Sequence, residues 1–135
     1  MAFATRTLRD DIVADQGVIG ATSGGTVVVH LDHSGDSATS VALDASALSG
    51  HANGAKLNIT RAWWGLSGSV EIQFKGASSD THGLRLAGAG TYTSGPAIQN
   101  GATNGTATSG DLESVAAAAT GFIVLELRKD AAFTA

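Results

Sequence analysis

Apolar and polar residues alternate with a period of two along most of this chain. SVEIQFK, residues 69–75, sets Val70, Ile72 and Phe74 against Glu71, Gln73 and Lys75, the pattern of a strand with one buried face. GFIVLELRK (121–129) does the same with Ile123, Leu125 and Leu127. GTVVVHLD (25–32), SVALDASAL (40–48), AKLNITRAWW (55–64) and HGLRLAGAGTYT (82–93) read as further strands. Gly65 to Gly68 has the length and glycine content of a hairpin loop. DLESVAAAAT (111–120) stays open between helix, favoured by its alanines, and a strand or irregular edge, favoured by its glycine-rich surroundings. No repeat of 20–50 residues is present, which argues against a solenoid or propeller. The pattern predicts an all-β fold, an antiparallel β-sandwich of jelly-roll-like type with about seven or eight strands. Residues 25–135 form the sandwich, and residues 1–24 precede it as an extended arm or a first strand.

Composition sharpens this picture. Eighteen glycines stand against a single proline, Pro96, and serine, threonine and alanine are abundant. Many short strands broken by glycine turns suit a sandwich or barrel. A chain of 135 residues is long enough to bury a core. With no cysteine, stability must come from burial or oligomerisation. The charged fraction is only 15% beside 43% hydrophobic residues, which suggests a surface partly covered by neighbours and contacts built more from burial than from charge. A net charge of −4 argues against a nucleic-acid partner. No apolar run approaches the roughly 18 residues of a membrane helix, and MAFATRTLRDD has no apolar stretch of signal-peptide type.

Both tryptophans fall in RAWW, at Trp63 and Trp64. Neighbouring side chains on a strand point to opposite faces, so the two rings cannot enter one core. One belongs to the interior; the other lies on the outer face, under a loop or against another chain. Tryptophan is enriched where proteins bind one another. Trp63 and Trp64 are therefore interface candidates, joined by Arg6 and Arg9 of the N-terminal segment.

Chemistry is harder to find. HLDHSGD (30–36) is the one cluster of metal-ligand residue types, with His30 and Asp32 on one strand face and His33 and Asp36 in the turn after it. It matches neither a zinc pattern nor the ligand run of an EF-hand loop, and Asp and Gly are also ordinary turn residues. The expectation is no metal and no cofactor. The GAG of LRLAGAGTY lacks the full dinucleotide fingerprint and a following helix. Glu71, Asp80 and Glu113 show no paired-carboxylate spacing. No base stands near a nucleophile in sequence, so the chain reads as a non-enzyme.

From about Leu57 to Lys129 the order of pieces resembles small virion proteins of tailed bacteriophages, especially phages of marine bacteria and cyanobacteria. An aromatic pair (RAWW) runs into an alternating strand (SVEIQFKG). A glycine-marked strand (LRLAGAGTY) and a proline-bearing loop (GPAIQNGATNGTATSGD) follow, and GFIVLELRK closes the set. The alanine-rich DLESVAAAAT departs from that pattern. The resemblance implies a capsid decoration, or cement, protein assembled in the host cytoplasm. It would sit on the outer surface of the virion head, often as a homotrimer, and clamp the major capsid protein without nucleic-acid or membrane contact. The alternative is a receptor- or glycan-binding module of a tail fibre or spike, with Tyr92 and a tryptophan as the sugar platform.

Overall fold

The computed structural model describes residues 2–10, 25–51, 55–76, 80–102 and 110–130. Six strands make up nearly all of it: β1 (Ala2–Asp10), β2 (Thr26–Asp36), β3 (Thr39–Leu43), β4 (Leu57–Phe74), β5 (Thr81–Tyr92) and β6 (Leu112–Lys129). All belong to one antiparallel sheet in the order β1-β2-β6-β4-β5, with β3 paired to the start of β6. The fold is all-β and sandwich-like.

The strand count differs from expectation because two expected breaks are not breaks. Gly65 to Gly68 does not reverse the chain. β4 runs through it for 18 residues and stays paired with β6 on both sides, Gly65 with Phe122 and Ser69 with Ala117. DLESVAAAAT is the first half of β6, also 18 residues long. SVALDASAL is a strand only to Leu43. Val41 is exposed while Ala42 and Leu43 are both buried, and a 3-10 turn at Ala45–Ala47 follows, capped by Asp44, whose carboxylate accepts from the Ser46 amide at 3.0 Å.

A single sheet has no second layer to cover its apolar face, so this one bends onto itself. The bend crosses the strands in register. Gly88 of β5, Gly68 of β4, Ala118 and Gly121 of β6 and Gly35 of β2 all have positive φ and lie side by side in the ladders. Bulges at sheet corners do this work by adding a residue to one strand and sharpening its local twist. On β6, Ala118 and Ala119 together stand opposite the single Gly68. The extra residue shifts the phase of the buried positions. Leu112, Ser114 and Ala116 point inward before the bulge, and Ala119, Ile123, Leu125 and Leu127 after it. Without that slip one half of β6 would turn its apolar side outward. Two glycines here are sterically required. A Cβ on Gly68 would lie 2.2 Å from the Ala118 carbonyl oxygen, and one on Gly121 would lie 2.0 Å from that of Gly65.

The two halves close on one core that includes Val27, Val29, Leu31, Leu57, Ile59, Val70, Ile72, Phe74, Leu86, Ile123, Leu125 and Leu127. It contains Val70, Ile72, Phe74, Ile123, Leu125 and Leu127, the positions that alternation predicts to be buried. Ala116 faces inward just before the β6 bulge and Ala119 within it.

Core truncations and two backbone variants test this arrangement. Ile72→Ala and Leu125→Ala should each cost about 2–5 kcal/mol in denaturant titrations, the loss of a fully buried branched side chain. Ala118 is the one described non-glycine residue with positive φ, at 49°. Ala118→Gly should raise stability by about 1 kcal/mol, since the left-handed conformation costs an L-residue roughly 1–2 kcal/mol and glycine's extra unfolded-state entropy offsets part of that gain. Gly68→Ala should destabilise in the same assay.

Candidate functional site

The outer face of β1, β2, β6 and β4 is where the interface candidates meet. A bulge at Thr60 prepares it. β4 steps from Ile59, opposite Leu127, to Arg61, opposite Glu126, so Thr60 is left over and the side-chain phase flips. The Thr60 hydroxyl donates to the Glu126 carbonyl at 2.9 Å and holds the extra residue in place. Before the bulge odd positions point inward; after it they point outward. Trp64 therefore packs against the core, with its indole Nε1 donating to the Ala87 carbonyl at 3.2 Å, and Trp63 stands on the outer face, half-buried.

Ladder register then fixes the neighbours. One rung across the sheet reads Arg6, His30, Val124, Trp63, Thr91. The rung toward the bend reads Ala4, Asp32, Phe122, Gly65, Ala89, and the one on the other side reads Arg9, Val28, Glu126, Arg61. Beyond these lies Thr26, Arg128, Asn58. Phe122 is 43% exposed and its ring lies over Gly65, where a Cβ would come within 2.9 Å of Cε1. The same device operates on the inner side, where Trp64 lies over Gly90. These glycines admit a flat ring across the strand, so the outer face carries an aromatic centre of Trp63 and Phe122 flanked by Val28 and Val124. Arg6, Arg9, Arg61, Phe122 and Arg128 are exposed on this face, and Val28, Trp63 and Val124 are half-buried.

Arg6, Arg9 and Trp63 thus share one surface. Trp64 does not belong to it. Residues 2–10 reach it as the edge strand β1, paired with β2 from Ala2 to Asp10; residues 11–24 lie outside the described residues. Phe122, Arg61 and Arg128 join the face although sequence reading did not single them out. The alternation of GFIVLELRK contained the signal for Phe122 and Arg128, since both are out of phase with Ile123 and Leu125.

The possible metal ligands separate. His30 and Asp32 share the outer face, but β2 continues to Asp36, so His33 is a strand residue pointing inward instead of a turn residue. It is buried, with Nε2 3.2 Å from the Ser114 hydroxyl and its ring tilted 52° against Phe3 at 4.9 Å. His30 and His33 are on opposite sides of the sheet and cannot share an ion. Among the described residues no group of three or more metal-ligand side chains converges.

Other polar clusters lie elsewhere among the described residues. The Lys129 ammonium, with its side chain fully buried, donates to Asp10 at 2.6 Å and to the Ser49 carbonyl at 2.8 Å, while the Ser49 amide donates to the other Asp10 oxygen at 2.9 Å. Burial works against the Asp10 charge, but these bonds outweigh it and hold the carboxyl below its ordinary value. On the other layer, Glu71 accepts from His82 at 2.6 Å with Arg85 3.9 Å away, and the His82 bond lowers the Glu71 carboxyl. Beside them is a shallow depression of about 360 Å³ floored by Ala87, Val115 and Ala117. Glu113 shares a hydrogen bond with Asp80; that bond, with burial, pushes Glu113 up to about 7, and the same bond holds Asp80 below its ordinary value against the effect of burial. Such a pair holds one proton between two carboxyls.

A scan against family models matches no family, and comparison with curated proteins and with solved structures finds no match to this chain.

Glu113 binds its proton more tightly folded than unfolded. Its contribution to stability is complete below the ordinary glutamate value of 4.5 and is lost as pH rises through about 7. Melting temperature should fall between about pH 5 and pH 8, and Glu113→Gln should flatten that decline. Asp10→Ala, which strands a buried ammonium, should cost about 3 kcal/mol, and Asp10→Leu combined with Lys129→Met should recover most of it. Chemical denaturation of the three proteins checks this.

Proposed function

We propose that this chain is a non-enzymatic virion structural protein of a tailed bacteriophage, a cement protein that decorates the outside of the head and holds neighbouring capsomers together. One observation carries the binding half of this reading. The outer sheet face presents Trp63 and Phe122 on adjacent rungs, with Phe122 and the surrounding arginines exposed. Aromatic and arginine side chains are the types that concentrate at protein–protein hot spots. The phage half is supported by the order of the RAWW, SVEIQFKG, LRLAGAGTY and GFIVLELRK segments. In this reading the partner is the major capsid protein and the working form is a homotrimer. Engagement of two or three copies at once raises the effective concentration of each contact, so moderate single contacts add up to firm attachment.

The reading is tested on particles. Cryo-electron microscopy of the parent virion should place this protein on the head lattice; density confined to the tail would favour the receptor-binding alternative. Sedimentation equilibrium of the free protein should give a mass near three times 13.4 kDa. Purified protein added to undecorated heads should bind, and Trp63→Ser should weaken that binding while its circular dichroism stays that of the parent.

A further inference from the structure

Composition describes an acidic chain of low charge, and the fold redistributes that charge unevenly. Four of its five arginines, Arg6, Arg9, Arg61 and Arg128, occupy the outer face around Trp63 and Phe122. All four are exposed. The acidic residues on these rungs are two, Asp32 and Glu126, and Glu126 is half-buried with its carboxylate 3.6 Å from Arg61. The same face carries His30. On a protein of net charge −4 this is a basic island with an aromatic centre.

We infer that this face docks an acidic protein surface, one that places carboxylates around an apolar centre. The inference rests on reading the face as a docking surface and adds the chemistry of the partner to it. Charge complementarity selects the occupant. Arginine's planar fork pairs with carboxylates in two-pronged fashion, and its weak hydration makes it the cation best suited to being buried at a contact. Val28, Val124, Trp63 and Phe122 supply apolar area that a purely ionic partner would leave uncovered. A single-stranded nucleic acid also stacks on aromatics beside arginines. Here, however, Asp32 lies next to Phe122 in the ladder and Glu126 lies one rung from Trp63, each set against a phosphate backbone crossing the rings. The arginines ring the aromatic centre without forming an unbroken basic track, which suits separate carboxylates. Steering by such a face should make association sensitive to salt, in contrast to the burial-dominated contact that mean composition suggests.

The experiment uses the full chain and three fluorescein-labelled probes read by anisotropy. One is a peptide of repeating Glu-Glu-Leu-Phe units, the second its Lys-Lys-Leu-Phe counterpart, and the third an oligothymidylate of similar length. The acidic peptide should bind at least about tenfold more tightly than either of the others, and should weaken about tenfold between 0.05 and 0.5 M salt. Arg6→Glu with Arg128→Glu, and separately Trp63→Ser, should each lower its affinity about tenfold, while Arg85→Glu on the other layer should leave it unchanged. The salt titration needs no variant, so the test survives a variant that fails to fold. Equal binding of the two peptides, tighter binding of the oligothymidylate, or sensitivity confined to Arg85→Glu overturns the inference. Heads that bind the protein while the acidic peptide does not would overturn the partner chemistry alone. A peptide that binds while heads do not would leave the chemistry standing and remove the capsid.

Discussion

The structure depends on one constraint: a lone sheet must find a cover for its apolar face. Most sandwiches meet it with two sheets packed together. This chain meets it by bending β2, β4, β5 and β6 along a common line, so that each half covers the other. Everything beside that line is adapted to it. Glycines occupy the positions where a Cβ would strike a carbonyl, and an extra residue on β6 restores the phase of its apolar side. Ala118 holds a left-handed conformation in this line, and the β6 bulge keeps it there.

The bend also produces two outer faces of different character. On one layer the rungs carry Trp63, Phe122 and four arginines. On the other, Glu71 is occupied by His82 and Arg85, and Glu113 shares a proton with Asp80, so polar groups there are largely satisfied by each other. A surface ion pair such as that of Glu71 with His82 contributes little to stability. These pairings leave one layer electrostatically quiet. The chain's net charge conceals this division, because an average over the sequence cannot see which residues share a rung.

Much of the core was legible in the chain. Val70, Ile72, Phe74, Ile123, Leu125 and Leu127 follow a period of two, and burial respects it. The bulges were not legible. Nothing in LNITRAWW marks Thr60 as the residue left out of register, yet that residue decides which tryptophan meets the core. Glycine between alternating segments reads as a reversal, whereas at Gly68 it bends a strand that carries on, a distinction made by pairing partners far away in sequence. For the same reason HLDHSGD gathered ligand types that the sheet then divides between its two sides. The outer face needed strand order as well as alternation, and strand order is a tertiary fact.

The position of β6 has a consequence for the way the molecule comes into being. It is the last of the described strands and the central one in the sheet, flanked by β4 on one side and by β2 and β3 on the other. Until residues 112–129 are available, the ladders among the described strands reduce to two separate pairs, β1 with β2 and β4 with β5. Isolated two-stranded ribbons are marginal in water. The sheet therefore assembles in one late, cooperative event when β6 inserts between them, and the Lys129 to Asp10 contact, spanning 119 positions, can close only then. Long-range pairing of this kind places folding on the slow side for a domain of this size. Before that event the nascent chain exposes the strand edges that β6 will cover, and unpaired edges of this kind are the templates on which chains associate wrongly.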